Sequence, residues 1–222
     1  KQIEALRNLA DCYARGVGVD KDEAAATRHW RRAGILGDEL SQHNLSVCFN
    51  EGRGVEKNFE MSAIWCRKAA EQGHVDAQCN LGICYQNGEG VEQNHETAVH
   101  WYSKAAAQGL AMAQYNLGTY FEVGQGVAKD LVEAKRLFQL AADQGEAAAI
   151  AKLAAMLREG PDADLHESNR LLRKAKKAVA AGTDEASKQV AQKIVNDLMS
   201  NLKCSNEGCT SVLNIDMSED VK

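Results

Sequence analysis

Two patterns with chemical promise stand side by side in the stretch QNGEGVEQNHETAVHW, Gln86–Trp101. NGEGV, opening at Asn87, has the paired glycines that let backbone N–H groups close around a phosphate. HETAVH, opening at His95, sets two imidazoles beside a glutamate, the make-up of a zinc-hydrolase helix. Each chemistry has a positional requirement. A dinucleotide loop needs G-x-G-x-x-G after a strand and before a helix, and two histidines gripping one zinc from one helical face need a spacing of four. His95 and His100 are five apart, which turns them ~140° from one another at about 100° per residue. They are expected on the surface of a helix, without a metal.

The glycine loop is judged by where it recurs. RGVGV at Arg15, EGRGV at Glu51, NGEGV at Asn87 and VGQGV at Val123 put the first glycines at Gly16, Gly52, Gly88 and Gly124, a constant step of 36. Gly37, Gly73, Gly109 and Gly145 keep the same step, as do Leu9, Leu45, Leu81, Leu117 and Leu153. Tyr13, Phe49, Tyr85 and Phe121 follow the first four leucines, with Leu157 in the fifth unit. Such a period marks a stacked array of helical hairpins. In the third unit Ala77, Leu81 and Tyr85 form one helical stripe, and Gly88 and Gly90 end that helix where a left-handed residue is required. Ala98, Trp101, Tyr102 and Ala105 form the stripe of a second helix that stops at Gly109. Neither helix can bury its stripe alone, so the units must stack into an α-solenoid. With the paired glycines lying between helices four times over, the phosphate reading falls.

Bulk composition agrees. The 222 residues are 45% hydrophobic and 26% charged, with a single proline, which suits a nearly all-helical chain. A formal charge of −5 argues against a nucleic-acid partner, which needs a concentrated basic face. No apolar run reaches the ~18 residues of a membrane span. The chain opens at Lys1 without a methionine or a signal-like segment, as expected of a piece of a longer protein.

The segments AQCNLGICYQNGEGVEQNHETAVHWYSKAAAQG, residues 77–109, and AQYNLGTYFEVGQGVAKDLVEAKRLFQLAADQG, residues 113–145, resemble the Sel-one-like repeat, a relative of the tetratricopeptide repeat. The likeness covers residues 1–182 and implies an all-α fold: a right-handed α-α superhelix of about five hairpins. The fifth unit departs from the pattern, with a loop two residues shorter that contains Pro161. Residues 183–202 read as one amphipathic capping helix with Thr183 as N-cap and Val190, Ala191, Ile194, Val195, Leu198 and Met199 on its apolar face. Residues 203–222 are a tail.

On a solenoid, function lies on the helix faces turned away from the stripe. Asn8, Asn44, Asn80 and Asn116 form one outward column of the first helices, and Asp11, Val47, Ile83 and Thr119 a second; Asn87 shares the face in the third unit. The resemblance implies that first helices line a concave groove where asparagines hold an extended peptide. An amide that both donates and accepts suits a peptide unit. The plainer alternative is that these asparagines only cap or solubilise the groove. The favoured expectation is a non-enzymatic scaffold or adaptor that binds a protein or peptide. The rival is a regulatory arm of a longer enzymatic chain. The spacing fixes no oligomeric state.

Seven cysteines are present. Cys12, Cys48 and Cys84 share one repeat position, and equivalent helices ~10 Å apart would keep them beyond bridging distance. They are expected to be packing residues with free thiols, as are Cys66 and Cys79, for which a local pair is the alternative; the setting is a reducing one, cytoplasmic or else nuclear. The resemblance supports this: Ala70 and Gln78 stand where a secreted branch of the repeat carries its stapling cysteines. Cys204 and Cys209, in KCSNEGCTSVLNIDMSEDVK, resemble the opening of a MYND-type zinc finger. That implies a zinc site in a longer protein, since two cysteines do not complete a tetrahedral site. A plain tail and a local disulfide are the alternatives. No cofactor is expected in the solenoid itself.

Overall fold

The computed structural model of the chain describes residues 1–158, 164–181 and 189–196. All regular structure among them is helical: α1 Gln2–Arg15, α2 Glu23–Ile35, α3 Glu39–Glu51, α4 Phe59–Glu71, α5 Val75–Asn87, α6 His95–Ala107, α7 Ala111–Val123, α8 Leu131–Asp143, α9 Ala147–Met156 and α10 Leu165–Ala181. Residues 189–196 are helical too. Contacts divide the chain into two units, Lys1–Ala141 and Ala142–Lys222. The expected all-α class and the hairpin repeat of an α-α solenoid hold.

Local sequence sets the starts of the second helices and the ends of the first helices in the first unit. Asp22, Asn58 and Asn94 cap the second helices, each side chain accepting from the N–H three residues on at 2.8 Å. Asp130 does the same for Glu133 at 3.0 Å. Each such cap is worth about 1 kcal/mol. The first helices end at Gly16, Gly52, Gly88 and Gly124, all left-handed. A main-chain hydrogen bond then closes each of these hairpins. The N–H groups of Asp22, Asn58, Asn94 and Asp130 donate to the carbonyls of Tyr13, Phe49, Tyr85 and Phe121, at 2.8–3.0 Å.

The second glycine of each loop has another duty. A Cβ on Gly54 would lie 2.2 Å from Glu23 O, on Gly90 2.0 Å from Phe59 O, and on Gly126 2.6 Å from the His95 carbonyl carbon. Each loop therefore rests, backbone on backbone, against the first turn of the preceding hairpin's second helix. Gly18 shares the conformation, φ +74°, but a Cβ there would meet nothing within 4 Å among the described residues.

Core clusters form at the hairpin junctions. Ala10, Trp30, Leu45, Phe49 and Trp65 join the first two hairpins, and Cys66, Ala69, Ala77, Leu81 and Trp101 join the second and third. Ala98, Tyr102, Leu117, Tyr120 and Leu137 join the third and fourth. A polar rail runs beside them. Gln42 donates to Gly34 O at 2.9 Å and accepts from Gln72 at 2.7 Å. Gln78 donates to Ala70 O at 3.2 Å and accepts from Gln108 at 2.8 Å. These buried amides are satisfied by one another and by helix ends, as burial demands.

One repeat position varies along the stack, and one expectation needs correcting. Leu9 is 39% exposed, whereas its counterparts Leu45 and Leu81 are at 0% and Leu117 at 5%. Those leucines are buried by the preceding hairpin, as Leu45 is against Gly34, and the first described hairpin has no such neighbour among the described residues. His100 is exposed as expected, but His95 is half-buried. Its Nδ1 lies 3.1 Å from the Tyr120 hydroxyl and its Nε2 accepts from Gln125 Nε2 at 2.8 Å. The cause is the loop contact: the start of α6 is where the next hairpin's glycine loop lands.

In the second unit α9 and α10 pack as a hairpin, with Ser168 Oγ donating to Ala154 O at 2.7 Å. Of the expected capping helix, Ala191 and Val195 are buried at 0% and 1%. Thr183, Leu198 and Met199 lie outside the described residues, as does Pro161.

Candidate functional site

Helices α3, α4 and α5 enclose a cleft of about 230 Å³. Val47, Asn80 and Ile83, three members of the two predicted columns, meet on its walls. Ser46, Ser62 and Cys66 lie deepest, exposed by 3%, 5% and 1%. Asn50, Glu51 and Glu89 line it as well.

The cleft exists because one large side chain is missing. At the 36-residue step, the position of Cys66 is held by Trp30, Tyr102 and Phe138 in the first, third and fourth hairpins, each exposed by 8% or less. Those rings pack between their own two helices, Tyr102 against Gly82 and Phe138 against Gly118. Cysteine is far smaller, and the space opens to solvent.

The remaining predicted residues lie elsewhere. Asn8 is exposed, and Asn44 and Asn116 are half-buried on their helices. Asp11 is engaged inside its hairpin, its Oδ1 accepting from Trp30 Nε1 at 3.0 Å. Thr119 donates back to Tyr115 O at 3.1 Å, and Asn87 donates to Glu89 Oε1 at 3.3 Å. Cys204 and Cys209 lie outside the described residues.

Burial governs the thiols. It pushes Cys66 far above the ordinary range, with Cys84 next to it adding to the shift, and Cys66 Sγ donates to Ala77 O at 3.2 Å. Burial, aided by Glu89, pushes Cys84 up to about 11. Both cleft sulfurs are neutral thiols at physiological pH, so they are poor nucleophiles and poor metal ligands. Among the described residues no three His, Cys, Asp or Glu side chains are placed to hold a metal ion. No described helix is long and apolar enough to cross a membrane.

One junction beside the cleft is built differently from its neighbours. Arg7 on α1 reaches Asp38, the N-cap of α3, in a 2.8 Å ion pair. One repeat on, the same positions are His43 and His74, the N-cap of α5, stacked at 4.4 Å between ring centroids. His74 Nδ1 accepts from Ala77 N at 3.3 Å, and Asn80 Nδ2 stands 3.4 Å from His43 Nε2. Burial first, and His74 second, hold His43 below its ordinary value of 6.5, with Asp76 partly opposing them. The unfolded chain therefore takes up this proton at a higher pH than the folded chain does. Stability is full above pH 6.5 and falls as pH drops toward the folded value. Thermal unfolding followed by circular dichroism should show the melting temperature falling from about pH 7.5 to pH 5.5, with a shallower fall in His43→Gln. Equal pH slopes for the two proteins would show that His43 is not the group responsible.

Three features escaped the sequence reading: the vacancy at Cys66, the glutamine rail and the acidic lining Glu51 and Glu89. The first two are legible once the units are aligned, as a cysteine in an aromatic column and as Gln42, Gln78 and Gln114 at constant spacing. Glu51 and Glu89 follow no repeat and carry no such signal.

The Sel1 repeat profile matches this chain five times, at residues 3–38, 40–74, 75–110, 111–146 and 147–178. None of the curated proteins matches it. Among solved structures, a Sel1 repeat protein from Oxalobacter formigenes is 26% identical with a TM-score of 0.72, the match covering 88% of each chain. The protein c5321, a protective antigen of uropathogenic Escherichia coli strains displaying an SLR fold, is 26% identical with a TM-score of 0.74. That match covers 88% of this chain and 46% of the antigen, so the chain spans about half the antigen's length.

Proposed function

This chain belongs to the Sel1 repeat family, and from that premise we propose that it is a non-enzymatic scaffold holding an extended segment of a protein partner along its first helices. Sel1 repeat proteins are in general protein-interaction scaffolds. What supports the finer reading is one observation: Val47, Asn80 and Ile83 converge on a single open cleft. Half-buried apolar walls next to an amide suit a peptide, whose side chains take the walls and whose backbone takes the amide. Asn44 and Asn116 stand at the equivalent positions one repeat to either side of Asn80. A chain rising about 3.3 Å per residue can use such spaced contacts in turn.

The test is a dissociation constant. Peptides selected on the wild-type protein from a random display library are titrated against it and against the triple variant Asn44→Ala/Asn80→Ala/Asn116→Ala. Three lost hydrogen bonds at about 1 kcal/mol each should weaken binding ~100-fold. Unchanged affinity in a folded triple variant would remove the asparagine column from the binding face.

A further inference from the structure

Resting on that groove reading, we propose that the cleft over Cys66 is a socket for an aromatic side chain, best filled by a tyrosine of the bound segment. The mould is set by the third hairpin. There Tyr102 is fully buried, its ring lies so close to Gly82 that an added Cβ would sit 2.6 Å from Cε1, and its hydroxyl donates to Gln86 Oε1 at 2.7 Å. One repeat earlier, the counterparts of Gly82 and Gln86 are Ser46 and Asn50, and both line the cleft. Ser46 carries a side chain where Gly82 has none, so an incoming ring sits less deeply than Tyr102. The first hairpin shows that this is compatible with burial: Ala10 holds that position and Trp30 is still only 8% exposed.

The lining matches such a guest. Its deepest polar groups are already spent, with Ser46 Oγ donating to His43 O at 2.7 Å, Ser62 Oγ to Ser46 O at 2.8 Å and Cys66 Sγ to Ala77 O. What remains for an occupant is the apolar surface of Val47 and Ile83, two polarisable sulfurs that favour ring edges, and the Asn50 amide for a hydroxyl. The space of about 230 Å³ exceeds the ~150 Å³ that admits benzene to an apolar cavity. None of residues 159–163, 182–188 and 197–222 is aromatic, so the ring does not come from those segments. Glu51 and Glu89 on the lining repel a phosphate, which selects tyrosine over phosphotyrosine. Glu51 is itself paired with Arg53 at 2.7 Å, leaving Glu89 as the stronger of the two in that selection.

The probe is p-cresol, the tyrosine side chain alone, titrated into the whole chain and read by backbone amide shifts. Shifts centred on Ser46, Val47, Asn50, Ile83 and Cys84 are expected. Cys66→Phe, which restores the ring of the sister hairpins, should keep the helical dichroism and weaken p-cresol at least about tenfold. Val47→Asp, the residue the first hairpin carries at that position, should do the same without touching the core. If Cys66→Phe fails to fold, that second variant decides. p-Cresyl phosphate should bind at least about tenfold more weakly than p-cresol. Shifts centred elsewhere, absent shifts, or wild-type affinity in either folded variant overturns the socket. Selected peptides that lack aromatic residues yet depend on the asparagine column also overturn it and leave the groove reading intact. If p-cresol binds the cleft while no peptide responds to the asparagine triple, the groove reading fails and the socket stands.

Discussion

Gly90→Ala will destabilise the protein by about 3–5 kcal/mol, while Gly18→Ala will cost about 1–2 kcal/mol. The two positions are matched in backbone, with φ of +69° and +74°, so the penalty for placing alanine in the left-handed region is common to both. They differ in surroundings. A methyl at Gly90 would lie 2.0 Å from Phe59 O and 2.3 Å from Phe59 C, main-chain atoms that cannot rotate aside, whereas one at Gly18 meets nothing within 4 Å among the described residues. The difference between the variants thus isolates the loop-on-helix contact between hairpins. Urea unfolding monitored by far-ultraviolet dichroism measures both. If the two alanines cost the same, the glycine is there for its dihedral angles alone and the stacking argument is wrong.

Leu81→Ala should cost about 2–5 kcal/mol, against less than about 1 kcal/mol for Leu9→Ala. Leu81 is at 0% exposure in the junction formed with Cys66, Ala69, Ala70 and Trp101. Small partners on rigid helices cannot collapse into the vacated volume, which places the expected cost toward the upper part of that range. Leu9 occupies the same repeat position with 39% of its surface in water. One sequence position, read at two places in the stack, should therefore give two very different energies. A cost below about 1 kcal/mol at Leu81 would contradict its placement in the core.

These contrasts mark what the sequence discloses and what it hides. The repeat period, the helix boundaries, the left-handed glycines and the stripe Ala77–Leu81–Tyr85 follow from local chemistry and were all legible. Leu9 is exposed where Leu45 and Leu81 are buried, because equal residues at equal repeat positions do not have equal neighbours. His95 was misread for the converse reason: its environment comes from Tyr120 and Gln125, 25 and 30 residues away, through a contact made by glycine backbone that no side-chain pattern announces. Val47, Ile83 and Asn80 line one cleft, and a helical wheel suffices to group them. Asp11 shares the column with Val47, yet it is drawn into its own hairpin by a tryptophan whose counterpart beside Val47 is a cysteine. The cleft is thus a property of a substitution in the facing helix. It is visible only when columns on both helices are read together.

Because successive hairpins meet through main-chain atoms at Gly54, Gly90 and Gly126, this part of their seating does not depend on which side chains line the outer columns. A gene encoding the array can therefore gain or lose whole 36-residue blocks, or exchange the residues along the outer columns, without renegotiating this part of how one block seats on the next. Length and ligand preference are free to evolve on separate clocks, one by copying modules and the other by point change.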